Sequence, residues 1–245
     1  MIKSPHLLRP QWPVPAKIEA YSTTRKGGNS AGEYSGFNVG DHVGDISSQV
    51  IANRKQLPYY KNINWLEQIH SNTVIELPAD TLVGDAAYTS NVGIACAVMT
   101  ADCVPILMSD RQGTTIAAIH AGLKGLRTQI IQRTIESAFL ATEGRELLAW
   151  IGPHIGPRCY EVSTEDTRAF SHIEGVVLSS DAPGKALLDL ETIARFQLQE
   201  MGVTAVFSTG HCTYSREYEY FSYRRARHQG MANCGRMVSV IIKHA

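Results

Sequence analysis

Three potential metal ligands stand far apart in this sequence. His70, Cys103 and His120 are separated by 33 and 17 residues, and each follows a run of residues typical of a β-strand. Structural zinc sites usually recruit four ligands in close pairs, whereas catalytic zinc keeps three protein ligands and one open position. The spacing therefore suits an open metal site. A buried thiol and a strand-end histidine are also common without any metal, so spacing alone leaves both interpretations open.

Acidic residues near these ligands are candidates for moving a proton. Asp102 directly precedes Cys103 and is the first candidate, with Glu161 and Asp85 as weaker ones. Asp102 is equally suited to capping a turn or to fixing His120.

Two alternatives use the same residues differently. A cysteine hydrolase acting on a cell-wall precursor or an amide would need no metal, with Cys103 as nucleophile, His120 as base and Asp102 or another acid orienting the base. A zinc-binding interaction module is a third hypothesis, which an open three-ligand site disfavours.

The elements that must position these residues are mostly short strands. Alternating or β-branched runs bounded by turn residues predict the strands, and apolar residues at helical spacing predict the helices. Strands are predicted at 18–24, 65–70, 73–77, 85–89, 94–101, 104–108, 114–119, 147–151, 176–178, 205–208 and 237–242, and helices at 47–57, 126–139, from Ser163 onwards, and at 190–201. Gly144 is expected just beyond the second helix. Because strands outnumber helices without strict alternation, we expect an α+β fold of mixed sheets in a single domain spanning residues 1–245.

Composition excludes several functions. The 245 residues include 23 basic and 23 acidic side chains, so there is no excess positive charge for nucleic-acid binding. The first 17 residues lack a signal-peptide core, and the longest apolar stretch is broken by Asp102 and shorter than the roughly 18 residues of a membrane helix. The five cysteines form no C-x-x-C pair, which argues against a disulfide scaffold. We therefore predict a cytoplasmic protein without nucleic-acid or membrane partners.

Motifs along nearly the whole chain resemble the YfiH-type laccase-domain family. The matching motifs are STTRKGG at 22–28, NVGDHVGD at 38–45, TADCVP at 100–105, HAGLKG at 120–125, IGPHIGPRCYEV at 151–162, FSYRR at 221–225 and GRM at 235–237. The resemblance implies an α/β/β/α layered sandwich and a zinc ion held by His70, Cys103 and His120. It also implies a purine nucleoside phosphorylase with adenosine deaminase activity, copper as an alternative metal, and weak polyphenol oxidase activity. We expect a monomer or a weak homodimer.

Several cationic and aromatic residues are candidates for holding phosphate and purine. Phosphate calls for cations, and a purine calls for a stacking surface. The substrate-binding candidates are Arg25, Lys124, Arg158, Tyr160, Arg224 and Arg236, with Phe221 and Tyr223 as further aromatic residues.

The sequence also departs from the family pattern. Leu123 and Lys124 replace the usual aromatic residue and arginine, Ala226 replaces an acid, and Cys234 replaces threonine. Lys124 keeps the positive charge but lacks the bidentate geometry of arginine. The nine histidines include no His-x-His pair, which argues against a multicopper centre.

Overall fold

The computed structural model describes residues 4–139 and 146–245. The strands are β1 (Leu7–Leu8), β2 (Ile18–Thr23), β3 (Ile63–Asn64), β4 (Val74–Glu76), β5 (Ala86–Thr89), β6 (Ala95–Thr100), β7 (Val104–Asp110), β8 (Ile116–Ala121), β9 (Leu147–Ile151), β10 (Glu161–Ser163), β11 (Val177–Ser179), β12 (Lys185–Leu188), β13 (Ala205–Ser208) and β14 (Met237–Lys243). The α-helices are α1 (Ser47–Arg54), α2 (Leu123–Arg127), α3 (Ile130–Phe139), α4 (Thr164–Thr167), α5 (Leu190–Glu200) and α6 (Tyr223–His228). Within these ranges no helix is long and apolar enough to cross a membrane.

Two large sheets pack face to face. One has the order β1-β2-β14-β6-β3 and the other has the order β13-β9-β7-β8-β5-β4, while β10, β12 and β11 form a small third sheet. Central strands such as β6, β7 and β8 are buried along their whole length because both of their faces are covered. Their side chains therefore alternate between two cores, and the sequence reads as continuous apolar runs rather than a polar–apolar alternation.

The layers follow from these cores. Ile106 and Ile119 belong to the core beneath α3 and α5, whereas Leu107 and Ala118, one residue away on each strand, belong to the core between the two sheets. The outer face of the five-stranded sheet is covered by residues from the segment 37–65, which contains α1. The predicted α+β architecture of mixed sheets is confirmed, with two large sheets at its centre.

Two predicted elements differ from the structure. Residues 65–70 form no strand: Gln68 instead hydrogen-bonds through its side chain to both the backbone N–H and the carbonyl of Met99, at 2.7 and 2.8 Å. The predicted helix 126–139 is two helices, α2 and α3, because Gln129 between them has a left-handed backbone with φ of 63°. Gly144 lies outside the described residues.

Candidate functional site

His70, Cys103 and His120 come together where the two large sheets meet. Their ligand atoms all lie within 4.8 Å of one another, although the three residues are widely separated in the sequence. Cys103 lies on the short connection between β6 and β7, and His120 lies near the end of β8, paired with Pro105 of β7. The connection from one sheet to the other thus brings the thiol beside the imidazole. The three residues predicted as metal ligands therefore lie close together in the folded protein.

Asp85 is hydrogen-bonded to both histidines, to the ring of His120 and to the backbone of His70. Its Oδ1 lies 2.8 Å from His120 Nδ1 and accepts a hydrogen bond from the backbone N–H of His70 at 3.0 Å. Its Oδ2 accepts hydrogen bonds from the backbone and the hydroxyl of Ser71, at 2.5 and 2.7 Å. Burial opposes ionisation of Asp85, but the hydrogen bonds from His120 and Ser71 outweigh it and lower its pKa to about 2. A carboxylate behind a histidine fixes its tautomer and leaves Nε2 facing the site.

Local backbone geometry brings the ligands close. His70 has φ of 56° and Asp102, next to Cys103, has φ of 97°, both in a region that side chains other than glycine rarely adopt. At Gly122, an added Cβ would lie 2.9 Å from Cys103 Sγ and 3.3 Å from His70 Cδ2. The glycine of the HAG motif therefore leaves the space in which the thiol and the imidazole meet.

The thiol and the imidazoles are electrostatically coupled. Burial opposes ionisation of Cys103, but His120 and His70 outweigh it and lower the thiol pKa to about 6. Burial also opposes protonation of His120, yet Cys103 and Asp85 together raise its pKa to about 9. Ring edges of the two histidines meet with centroids 4.7 Å apart. The cluster therefore stabilises a thiolate, which is the form that binds metals or attacks electrophiles.

The hydrogen bonds of the Asp102 carboxylate go to residues other than the two histidines. Its Oδ1 accepts a hydrogen bond from the Thr213 hydroxyl at 2.6 Å, and its Oδ2 accepts one from the backbone N–H of Arg224 at 2.7 Å. Its own carbonyl accepts a hydrogen bond from the Ile155 N–H at 2.9 Å. Asp102 thus joins three segments of the chain beside Cys103, and the predicted role of fixing His120 belongs to Asp85.

The ligand cluster opens into a cleft of about 660 Å³. This volume is typical of small-molecule sites. Of the predicted substrate-binding residues, the cleft is lined by Lys124, Tyr160, Arg224 and Arg236. Lining residues that the sequence analysis did not single out as candidates include His42, Gln68, Arg127 and Arg227.

The remaining predicted residues lie elsewhere. Arg25 lines a different cavity, donates hydrogen bonds to the carbonyls of Glu217 and Ser35, and stacks over the ring of Phe221. Phe221 is buried in its own core cluster. Arg158 lines another cavity, beside Cys159 and Cys212. None of these side chains lines the cleft.

Most of the cationic groups in the cleft are already engaged. Arg224 donates to the Glu161 carbonyl at 2.5 Å and lies over the Tyr160 ring, and Arg236 donates to the Cys234 carbonyl at 2.7 Å. Arg127 pairs with Asp166, and Arg227 donates to the backbone carbonyls of the 231–232 turn. Lys124, by contrast, is exposed and pairs with no other side chain among residues 4–139 and 146–245.

Comparisons with known proteins agree on one family. The sequence pattern of the family described as "Multi-copper polyphenol oxidoreductase laccase" matches residues 19–244. The "Purine nucleoside phosphorylase PA4543" of Pseudomonas aeruginosa is 42% identical over 230 residues, covering 91% of this chain and 94% of the relative. "Purine nucleoside phosphorylase YfiH" of Escherichia coli is 39% identical over 244 residues, covering 96% and 98%. The crystal structure of Neisseria meningitidis protein NMB0706 has 36% identity and a TM-score of 0.87, covering 98% of this chain and 99% of that one.

Proposed function

This chain belongs to the multi-copper polyphenol oxidoreductase laccase family, and from that premise we propose that it is a zinc-dependent purine nucleoside phosphorylase. The observation that carries the proposal is the His70–Cys103–His120 cluster opening into a cleft large enough for a nucleoside. Relatives with 39–42% identity bear the name purine nucleoside phosphorylase, which supports an enzyme of this class.

The donor set suits one zinc ion. Two imidazoles and one thiolate are ligands that zinc accepts, and three protein ligands leave a position for water or substrate. A copper ion would also bind such nitrogen and sulfur donors. Within the described ranges a single cluster of this kind occurs, which fits a mononuclear site rather than a multicopper centre. When bound, the metal supplies Lewis acidity and a water of lowered pKa.

Phosphorolysis requires phosphate to be held against the sugar. A phosphate oxygen forms a bond to C1′ as the bond from C1′ to the purine nitrogen breaks, and the purine leaves with a proton. Lys124 has the charge and the freedom to bind this phosphate, because its ammonium group has no competing partner among the described residues. Arg224 and Arg236 raise the positive potential of the same cleft.

The purine needs an apolar surface within the same cleft. Tyr223 and Tyr160 both line the cleft, and each ring has an arginine over it, Arg236 at 5.8 Å and Arg224 at 5.0 Å from the respective centroid. Tyr223 is 43% exposed and is therefore the better candidate for stacking. Adenosine deamination at the purine C6 and weak copper-dependent oxidation of phenols are proposed as side activities of the same centre.

A cysteine hydrolase is the second candidate. Asp85, His120 and Cys103 are arranged as an acid, a base and a nucleophile, and the depressed pKa of Cys103 favours it. His70 distinguishes the two functions, because its Nε2 lies 3.9 Å from Cys103 Sγ and a hydrolase would not need this second imidazole. The metal enzyme uses all the residues of the cluster.

The test is to quantify zinc and copper per chain and to assay inosine and adenosine with and without phosphate. We expect ribose 1-phosphate only when phosphate is present, with activity lost on chelation and in Cys103→Ala. Cys96→Ala is the matched control, because Cys96 is buried in the core between the sheets. Full activity in metal-free protein would favour the hydrolase, and no nucleoside turnover at full zinc occupancy would refute the phosphorylase.

A further inference from the structure

A second cavity of about 530 Å³ contains two cysteines and shares no lining residue with the cleft. Cys159 follows the GPHIGPR segment and Cys212 follows β13, and both thiols are partly exposed. The two residues are 53 positions apart in the sequence, so only the fold brings them together. The proposed phosphorylase function uses neither of them.

Cys212 lies in a nest of hydrogen-bond donors. The Gly156 N–H donates to its sulfur at 3.1 Å, and hydrogen bonding by the backbone of Tyr214 and by the backbone and side chain of Ser215 also favours its ionised form. A Cβ added to Gly156 would lie 3.3 Å from both Cβ and Sγ of Cys212, so the glycine permits this close approach. Burial opposes ionisation, but the donors outweigh it and lower the pKa of the thiol. Such an environment stabilises a thiolate.

The pKa of the Cys159 thiol is shifted in the opposite direction. Burial first, and then the charge of Cys212 and a hydrogen bond to it, raise the Cys159 pKa to about 11. The two thiols line the same cavity, and their pKa values shift in opposite directions, that of Cys212 downwards and that of Cys159 upwards. A thiolate next to a second thiol is the arrangement found at reversibly oxidised cysteines.

We propose that Cys159 and Cys212 form a peroxide-reactive dithiol site, with Cys212 as the attacking sulfur and Cys159 as the resolving one. The Cys212 thiolate attacks hydrogen peroxide, so that an S–O bond forms, the O–O bond breaks, and hydroxide leaves and is protonated to water. Cys159 then attacks the resulting sulfenic acid, an S–S bond forms, and a second water leaves. Both thiols are oxidised to one disulfide, and one peroxide is reduced to two water molecules.

The test is site-resolved peptide mass spectrometry of the full-length, zinc-treated protein after exposure to hydrogen peroxide. We expect a disulfide-linked pair of peptides containing Cys159 and Cys212, with a mass two hydrogen atoms below that of the two reduced peptides. Dithiothreitol should convert this pair back to the two reduced peptides. In the reduced protein, iodoacetamide at neutral pH should label Cys212 at least about tenfold faster than Cys159, because the thiolate fraction of Cys212 is larger.

Two variants separate the roles of the sulfurs. Cys159→Ser should stop at a Cys212 sulfenic acid that dimedone traps, whereas Cys212→Ser should give neither a disulfide nor a sulfenic acid at Cys159. Cys96→Ala, which removes a fully buried thiol, should oxidise like the unmodified protein. The proposal is overturned if peroxide leaves Cys159 and Cys212 reduced, or if Cys212→Ser does not slow oxidation of Cys159. These readouts do not depend on nucleoside turnover.

Discussion

At the scale of single residues, the hydrogen-bond partners of the proposed metal ligands fix the orientation and the tautomer of those ligands. His120 is buried and would not be held in one tautomer without a partner for Nδ1, and Asp85 is that partner. The same carboxylate also accepts the backbone N–H of His70, so one residue orients two ligands that are 50 positions apart in the sequence. Replacing it should therefore affect metal binding more than replacing an exposed acid.

Asp85→Asn should weaken zinc binding by about 10–100-fold. The amide keeps the size of the side chain but removes the negative charge facing His120 Nδ1. Zinc affinity is measured by competition with a chromophoric chelator, and circular dichroism confirms the fold. Asp80→Asn, at an exposed position of the preceding loop, is the matched control. Equal zinc affinities for the two variants would contradict the orienting role of Asp85.

Lys124 allows a second residue-scale prediction, which rests on the proposed phosphorylase function. Because a hydrogen bond to a charged group contributes about 1.5–3 kcal/mol, Lys124→Ala should raise the KM for phosphate about tenfold or more. The KM for inosine should change little. Steady-state kinetics with each substrate varied in turn check this, and Arg133→Ala, at an exposed position of α3, is the control. A rise confined to the inosine KM would place phosphate elsewhere.

At the scale of elements, Asp102 fastens the start of α6 and the segment after β13 to the connection that carries Cys103. Thr213 is fully buried and gives its hydroxyl to Asp102 Oδ1. The backbone N–H of Arg224 donates to Asp102 Oδ2. Arg224 lies in the first turn of α6, where backbone N–H groups have no partner within the helix. One carboxylate thus ties α6, which contributes Tyr223, Arg224 and Arg227 to the lining of the cleft, to the connection that carries Cys103.

Thr213→Val should lower the free energy of unfolding by about 1–3 kcal/mol, because it leaves a buried carboxylate oxygen without its donor. Urea unfolding followed by fluorescence measures the change. Thr204→Val, an isosteric substitution at an exposed position, should stay within about 0.5 kcal/mol of the unmodified protein. Indistinguishable unfolding curves for the two variants would show that the Asp102–Thr213 hydrogen bond is not stabilising.

Elements with strong local patterns could be predicted from the sequence, and those defined by distant contacts could not. The apolar spacing of α3, the apolar run of β6 and the β-branched run of β14 were sufficient. The stretch 65–70 has the same composition as a strand, but the Gln68 side chain takes the place of a backbone partner and His70 turns the chain. Strands β10 and β12 are recognisable only through their mutual pairing.

The candidate site shows the same division. The proximity of His70, Cys103 and His120 could be predicted because their residue types are distinctive and their motifs resemble a known family. Arg25 and Arg158 share the charge of the cleft arginines, and only the fold directs them into other cavities. The choice between Asp85 and Asp102 as the partner of His120 depends on hydrogen bonds between residues that are distant in the sequence, which no local pattern reveals.

At the scale of the whole molecule, the site depends on how the two large sheets are held together. Cys103 directly precedes β7, which pairs with the His120 strand β8 in one sheet, whereas Gln68, two residues before His70, is hydrogen-bonded to Met99 of β6 in the other sheet. The relative position of the sheets therefore affects how His70 meets Cys103 and His120. The core between the sheets contains Leu107, Val98 and Ile241, all essentially inaccessible to solvent. Packing in this layer should therefore control both stability and metal binding.

Leu107→Ala should lower the free energy of unfolding by about 2–5 kcal/mol, the usual cost of a cavity in a close-packed core. Because the cavity lies between the sheets, we also expect weaker zinc binding in the folded variant. Urea unfolding gives the free energy of unfolding, and competition with a chromophoric chelator gives the zinc affinity.

Leu178→Ala is the matched control, since this side chain lies on β11 in the small sheet and is 40% exposed. Its effect should stay within about 0.5 kcal/mol, with zinc affinity unchanged. If Leu107→Ala destabilises the protein but binds zinc as tightly as the control, the ligand cluster is rigid independently of sheet packing.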